Sequence, residues 1–281
     1  MKIYKHLFML VLMIFITLPA HAMLRISPER FEFKVDSSKN KFLNDSITIQ
    51  VDGIEPVRLK AYAEYFELSD TGSLITGIKN SANNQLEENI RFNPTEFIIQ
   101  PGESQKIRFT IMNLQKLNNG ESRVAIFLED VKSKTQLLQN LNNGTQAKIN
   151  VKTRIAIPIY VDNGLILKSG EISKLCIQNS DNKLQYELNV KSTGNSKIRI
   201  AGVGQIINNK NLAADFPIES RPVQAGTISK FKGDLPVEKL DPNLEYTLKI
   251  NLFYKDQNNK NHNLVKEINF NLCGQKAGNP L

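Results

Sequence analysis

Apolar residues in this chain recur at every second position, segment after segment, and no window sustains a helical period. Phe31, Phe33 and Val35 alternate with polar residues, as do Ile47, Ile49 and Val51, then Leu59, Ala61, Ala63 and Tyr65. Ile107, Phe109 and Ile111 follow, then Val124, Ile126 and Leu128. A period of two puts the apolar side chains of each segment on one face, which is the geometry of a strand buried on one side. Asn, Gly, Asp and Pro punctuate the runs, so an antiparallel sandwich of about seven strands is predicted from residue 23 to about residue 161. "VDNG" at 161–164 reads as a turn and hinge, after which the pattern restarts at Leu175 and Ile177 and continues through 184–190, 198–203, 246–254 and 264–272. The expectation is an all-β chain of two β-sandwich domains, 23–162 and 163–281, with Asn- and Lys-rich loops near 207–215 and 255–263.

One segment stands apart. In "INVKTRIAIPIYVDN", residues 149–163, the odd positions Ile149, Val151, Ile155, Ile157, Ile159 and Val161 are apolar, while Asn150, Lys152 and Arg154 are polar or cationic. The whole reads as one long strand, and Pro158, which cannot donate to a ladder, places its far end at a sheet edge or a bend. Unpaired edge groups are a template for adding another strand. Lys148, Lys152 and Arg154 then either blunt that edge or fix the register of a partner laid along it, and periodicity alone leaves the two readings level.

The first 22 residues are of another kind. Lys2 and Lys5 precede an apolar run over 7–18, and Ala20-His21-Ala22 supplies a small-x-small cleavage pattern. That run is short of the roughly 20 residues a spanning helix needs, so residues 1–22 are expected to be a signal peptide and the remainder an exported protein without membrane insertion. The net charge of +8 is scattered, with no block of five or six like charges, which favours a solvated basic surface over a nucleic-acid partner. In an exported chain the two cysteines, Cys176 and Cys273, are expected to form a disulfide, the other reading being two buried thiols.

Enzyme chemistry finds little to work with. Beyond the expected signal, the one histidine is His262, in the turn "QNNKNHNL". A metal cluster or a Ser-His-Asp site cannot be assembled around it, so neither a metal nor a catalytic residue is expected. Glu87-Glu88 and Glu129-Asp130 read as rim charges, and "GVGQ" at 202–205 lies in a strand with no helix after it to cradle phosphate. No cofactor is expected.

Six segments, in order, resemble the PapD-like periplasmic chaperones of pilus assembly, and the "IPIYV" ending resembles the archaic, non-classical branch. They are "ISPERFEFK", "RFNPTEFIIQPGESQKIRF", "GESRVAIFLEDV", "INVKTRIAIPIYV", "STGNSKIRIAGV" and "RPVQAGTISKF". The resemblance implies two immunoglobulin-like β-sandwich domains set in a boomerang, working in the periplasm by lending the seventh strand to a pilus subunit that lacks one. It implies that Ile149, Val151 and Ile155 fill the client's groove, at roughly 1.5–3 kcal/mol per buried side chain before ordering costs.

The resemblance also implies a basic pair that holds the client's C-terminal carboxylate. Arg30 matches its first member. Ala156 stands where the family commonly has the second, a lysine, so Arg154, on the same strand face, is expected to replace it, with Arg108 in reserve. Implied partners are pilus or fimbrial subunits and an outer-membrane usher, and a self-capping dimer is one form open to the free protein. The other readings are an extracellular adhesin or pilus structural protein, and an orphan chaperone-like protein with no pilus client. The first is opposed by the roughly seven residues between the expected cleavage site and Arg30, too few for a donor extension.

Overall fold

The computed structural model describes residues 24–78, 85–132, 134–139, 146–180, 183–238 and 240–272, and for 134–139 and 146–151 it describes the backbone. Strands are numbered along the chain. Two sheets share the first core. One runs in the order β1 (Leu24–Ser27), β3 (Leu43–Val51), β9 (Ser104–Ile111), β7 (Ile90–Asn93). The other runs β2 (Phe31–Val35), β13 (Arg154–Asn163), β10 (Gly120–Asp130), β4 (Val57–Glu64), β8 (Glu96–Ile99). The alternating residues meet between them: Ile47, Ile49, Ile107 and Phe109 from the first sheet face Leu59, Val124, Ile126, Ile157 and Ile159 from the second. Strand β10 is buried on both faces from Val124 to Leu128, because its other side carries a small cluster of Phe66, Ala125, Phe127 and Tyr160.

A second core lies between the sheet β14 (Gly170–Ser180), β15 (Lys183–Ser192), β18 (Ile228–Asp234) and the sheet β17 (Asn211–Val223), β16 (Ile198–Asn208), β19 (Glu245–Lys255), β20 (Asn261–Asn271). Leu188, Val190 and Phe231 pack there against Ile198, Ile200, Leu248 and Ile250. The expected all-β architecture of two sandwiches is therefore what the chain adopts. Two hairpins complete it, β5 (Glu67–Leu68) with β6 (Leu74–Ile75), and β11 (Lys134–Gln139) with β12 (Gln146–Val151).

Three details differ from the sequence reading. Residues 149–163 are two strands, β12 and β13, interrupted at Lys152-Thr153. The pairing of β10 with β13 stops at Glu129–Arg154, and β11 with β12 forms a separate two-stranded sheet whose register starts at Lys134–Val151. The free edge contains Pro158 as expected, but it does not extend to the residues beyond it. Parallel strand β2 covers β13 from Ile159 to Asn163, which leaves Arg154 to Pro158 as the open edge. Finally, the 207–215 loop is the tight hairpin joining β16 to β17, with Asn209 and Lys210 both at positive φ (47° and 70°), the requirement of a twist-matched two-residue turn.

The glycines of "GVGQ" serve packing in β16. A Cβ on Gly204 would lie 2.1 Å from the Phe216 ring, and one on Gly202 would lie 2.2 Å from the Asn251 carbonyl oxygen.

Candidate functional site in the cleft between the sandwiches

The chain leaves the first sheet at Ser27 and enters the second at Phe31, and Arg30 stands at that crossing. Phe31 anchors the crossing by burying its ring in the first core, edge-on to Phe109 at 5.0 Å. Arg30, Glu32, Tyr160 and Asp162 line a cavity of about 600 Å³ whose opposite wall is Lys197, Arg199, Ala201 and Phe253 from the second sandwich. Lys197 and Arg199 project into it because Ile198 and Ile200, their neighbours on β16, turn the other way into the second core.

The floor of the cleft is a closed network of charges. Lys197 is buried over the Tyr160 ring, 3.6 Å from its centroid. Its Nζ lies 3.4 Å from Glu121 Oε2 and 3.9 Å from Glu32 Oε2, and its backbone N–H donates to Glu121 Oε2 at 3.1 Å. Glu121 Oε1 in turn accepts from Arg123 at 3.3 Å, and Arg123 donates to the Phe66 carbonyl and the Tyr65 hydroxyl. Burial lowers the proton affinity of Lys197, and the carboxylates of Glu121, Glu32 and Asp162 oppose that shift. Burial likewise raises the Tyr160 phenol, assisted by Glu121. Beside them Asp162 accepts from Ser196 Oγ at 2.7 Å and pairs with Lys168 at 3.0 Å.

Arg199 differs from these groups. Its Nε is buried and has no hydrogen-bond acceptor among the described residues. Burial depresses its proton affinity, and the charge of Arg30 across the cleft depresses it further. Arg30 is half exposed and meets Glu32 Oε1 at 3.2 Å. Two guanidinium groups from two sandwiches therefore face one cleft, and an oxyanion between them would meet two planar donor forks.

Of the residues expected to anchor a carboxylate, the structure brings Arg30 to the cleft and leaves the other two elsewhere. The register of Ile159 with Phe31 sets Arg30 beside Pro158, so Arg154 lies four residues away, about 13 Å along the strand. Its guanidinium sits 4.8 Å over the Phe127 ring, donates to Thr76 Oγ1 at 3.3 Å and Tyr62 Oη at 3.5 Å, and lies 3.9 Å from Glu64. Arg108 is on the exposed face of β9, in the other sheet of the sandwich.

Among the expected donor residues, Ile155 is half-buried opposite Leu128 at the open edge. Ile149 and Val151 hold backbone positions in β12 opposite Gln136 and Lys134, and their side chains lie outside the described residues. Cys176 is in β14, and Cys273 lies outside the described residues, as does the expected signal peptide. His262 meets Asp256 at 2.9 Å and stacks on Tyr254 at the β19–β20 turn.

Sequence reasoning missed Lys197 and Arg199. The alternation Lys-Ile-Arg-Ile in "STGNSKIRIAGV" carried the signal that both cations share one face. Among the described residues no helix is long and apolar enough to cross a membrane, and no three potential metal ligands cluster.

No family model matches the chain, and no curated protein matches it. Among solved structures the chain is similar to the YadV chaperone, with a TM-score of 0.45 and 12% identity over 88% of this chain and 100% of that one. It is similar to the CsuC–CsuE chaperone–tip adhesion subunit pre-assembly complex of Acinetobacter baumannii, with a TM-score of 0.47 and 12% identity over 86% of this chain and 98% of that one. It is also similar to the class 5 fimbriae chaperone CfaA, with a TM-score of 0.42 and 15% identity over 87% of this chain and 98% of that one.

Proposed function

We propose that the protein is a periplasmic chaperone of pilus subunits, a binding protein and not an enzyme. It lends the open edge of β13 to a client that lacks a strand, and holds the client's C-terminal carboxylate between Arg30 and Arg199. The observation that carries this reading is that the free edge ends in the cleft. Strand β2 occupies the edge of β13 from Ile159 onward, so a strand added along Arg154 to Pro158 has to stop beside Arg30. If it runs parallel to β13, as β2 does, the end that arrives there is its C-terminus.

Pro158 also fixes which groups the edge offers. A proline cannot donate to β10, so the pair Ala125–Pro158 is a non-hydrogen-bonded one, and the backbone groups of Arg154 and Ala156 turn outward with the Pro158 carbonyl. These are the donors and acceptors a client strand would use, with Ile155 and the β12 positions Ile149 and Val151 supplying apolar contact. On this reading the client passes to an outer-membrane usher by strand exchange, without nucleotide, and the free chaperone covers its edge by pairing with a second copy.

The test is co-expression in the periplasm with pilus subunits, comparing recovered complex for the wild type and for Arg30→Ala, Arg199→Ala and Arg154→Ala. Removing one charge-assisted contact costs roughly 1.5–3 kcal/mol, so the first two substitutions are expected to weaken binding by about ten- to a hundredfold, and Arg154→Ala by little. Loss of the complex in Arg154→Ala with retention in Arg199→Ala would return the anchor to β13.

A further inference from the structure

We propose that the cleft carries an apolar subsite, made by Phe253 and Ala201, which selects client chains whose last side chain is aromatic or bulky aliphatic. This rests on the reading that the cleft holds a chain-terminal carboxylate.

The cleft is much larger than a carboxylate needs. Its volume is about 600 Å³, and Phe253, which lines it, is half exposed (50%) although both neighbours on β19, Leu252 and Tyr254, are buried. Ala201 is its direct cross-strand partner. Arg199 precedes Ala201 by two residues on the same face of β16, so the guanidinium row and the apolar row are about 7 Å apart. That is the reach of one side chain from its own α-carboxylate.

The small Ala201 leaves the space next to the Phe253 ring open, and Phe33 lines the same cavity from the first sandwich. Of the other lining cations, Lys197 is engaged with Glu121, Lys168 with Asp162, Lys34 with the Gln257 carbonyl and Arg30 with Glu32, while Lys255 is an exposed residue at the end of β19. A guanidinium whose Nε has no acceptor among the described residues, next to a half-exposed aromatic ring, matches a single terminal residue, with its charge on the first and its side chain on the second.

The experiment uses synthetic nonapeptides of alternating valine and serine that differ only at the last position, ending in phenylalanine acid, glycine acid or phenylalanine amide. Binding to the purified protein is measured by fluorescence anisotropy. The phenylalanine acid is expected to bind about tenfold tighter than the glycine acid, a preference that Phe253→Ser abolishes. Ala201→Leu, which fills the space from the floor, is expected to weaken the phenylalanine acid and spare the glycine acid. Equal affinity of the two acids, with both lost in Arg199→Ala, overturns the apolar subsite and leaves the carboxylate clamp standing. Equal affinity of acid and amide overturns the clamp and this inference with it.

Discussion

Lys197 and Arg199 are two residues apart on one face of one strand and have opposite roles, decided by what the facing sandwich brings to them. Lys197 meets Glu121 and the Tyr160 ring and is enclosed, whereas the Arg199 Nε has no acceptor among the described residues, and Arg30 acts on its charge more strongly than Glu32 does. A buried pair is costly to break from one side. Glu121→Gln leaves both Lys197 and Arg123 without their carboxylate, and is expected to destabilise the fold by about 3–5 kcal/mol in urea denaturation. Lys197→Met keeps the volume and leaves Glu121 with Arg123 and a backbone N–H, so it should cost less than about 1.5 kcal/mol. The reverse order would mean that the lysine, and not the carboxylate, organises the cleft floor. Alternation in the sequence told which cations share a face, and it did so equally for Arg154 and for Arg199. It carried nothing about what lies opposite, because Glu121 is 76 residues from Lys197, and Tyr62 is 92 from Arg154. The position of Arg199 in the cleft was therefore illegible, while that of Arg30, fixed by its place before Phe31, was legible.

Among the elements, β13 was read correctly in its inward face and incorrectly in its extent. Thr153 is the one odd position between Ile149 and Val161 that is not apolar, and the ladder breaks there. Strand β17, which was missing from the pattern expected of the second half, contains Pro217 and Pro222. They are tolerated because β17 is an edge strand, paired on one side with β16. The same rule makes a test of β13. Ala156→Pro removes an outward N–H from the open edge without touching a bond to β10, so the variant should fold, by circular dichroism and melting, yet lose the client; a variant that still binds would place the client elsewhere. In the second sandwich, Glu187 on β15 lies between Lys174 and Lys232, at 3.0 and 3.2 Å. Lys174, then Lys232, hold its carboxyl below the usual 4.5. A lowered carboxylate stabilises the fold above its unfolded value and loses that contribution as pH falls through the folded value. Wild type should accordingly exceed Glu187→Gln in stability at neutral pH, and the gap should close below pH 4.5 in denaturation curves taken across the range.

At the scale of the molecule, the cleft works only if the two sandwiches keep Arg30 and Arg199 face to face, and the chain ties them on two sides. Beside the cleft, the Glu121 N–H donates to the Asn195 carbonyl at 2.9 Å. Away from it, the β5–β6 hairpin of the first half reaches across to β17 and β18. The Lys230 N–H donates to the Asp70 carbonyl at 2.6 Å, Lys230 Nζ pairs with the Asp70 carboxylate at 2.8 Å, and the Leu68 N–H donates to Gln224 Oε1 at 3.0 Å. Arg221, stacked 3.8 Å over Phe231, donates to the Thr71 and Lys230 carbonyls and closes the strap. The hairpin lies outside both main clusters and packs Leu68 and Leu74 on the small Phe66–Phe127–Tyr160 cluster of the first sandwich, so its polar contacts to β17 and β18 bear on the relation between the sandwiches. Asp70→Lys sets like charges together at that contact. It should raise amide exchange over residues 67–75 while both cores stay protected, and broaden the distribution of interdomain distances in small-angle scattering. If the proposed clamp holds a client's carboxylate with both arginines at once, affinity for the client should fall by several-fold in the same variant, although residue 70 lies outside the cleft lining. Released exchange with unchanged affinity would mean that the cleft-side tie alone sets the spacing of the clamp.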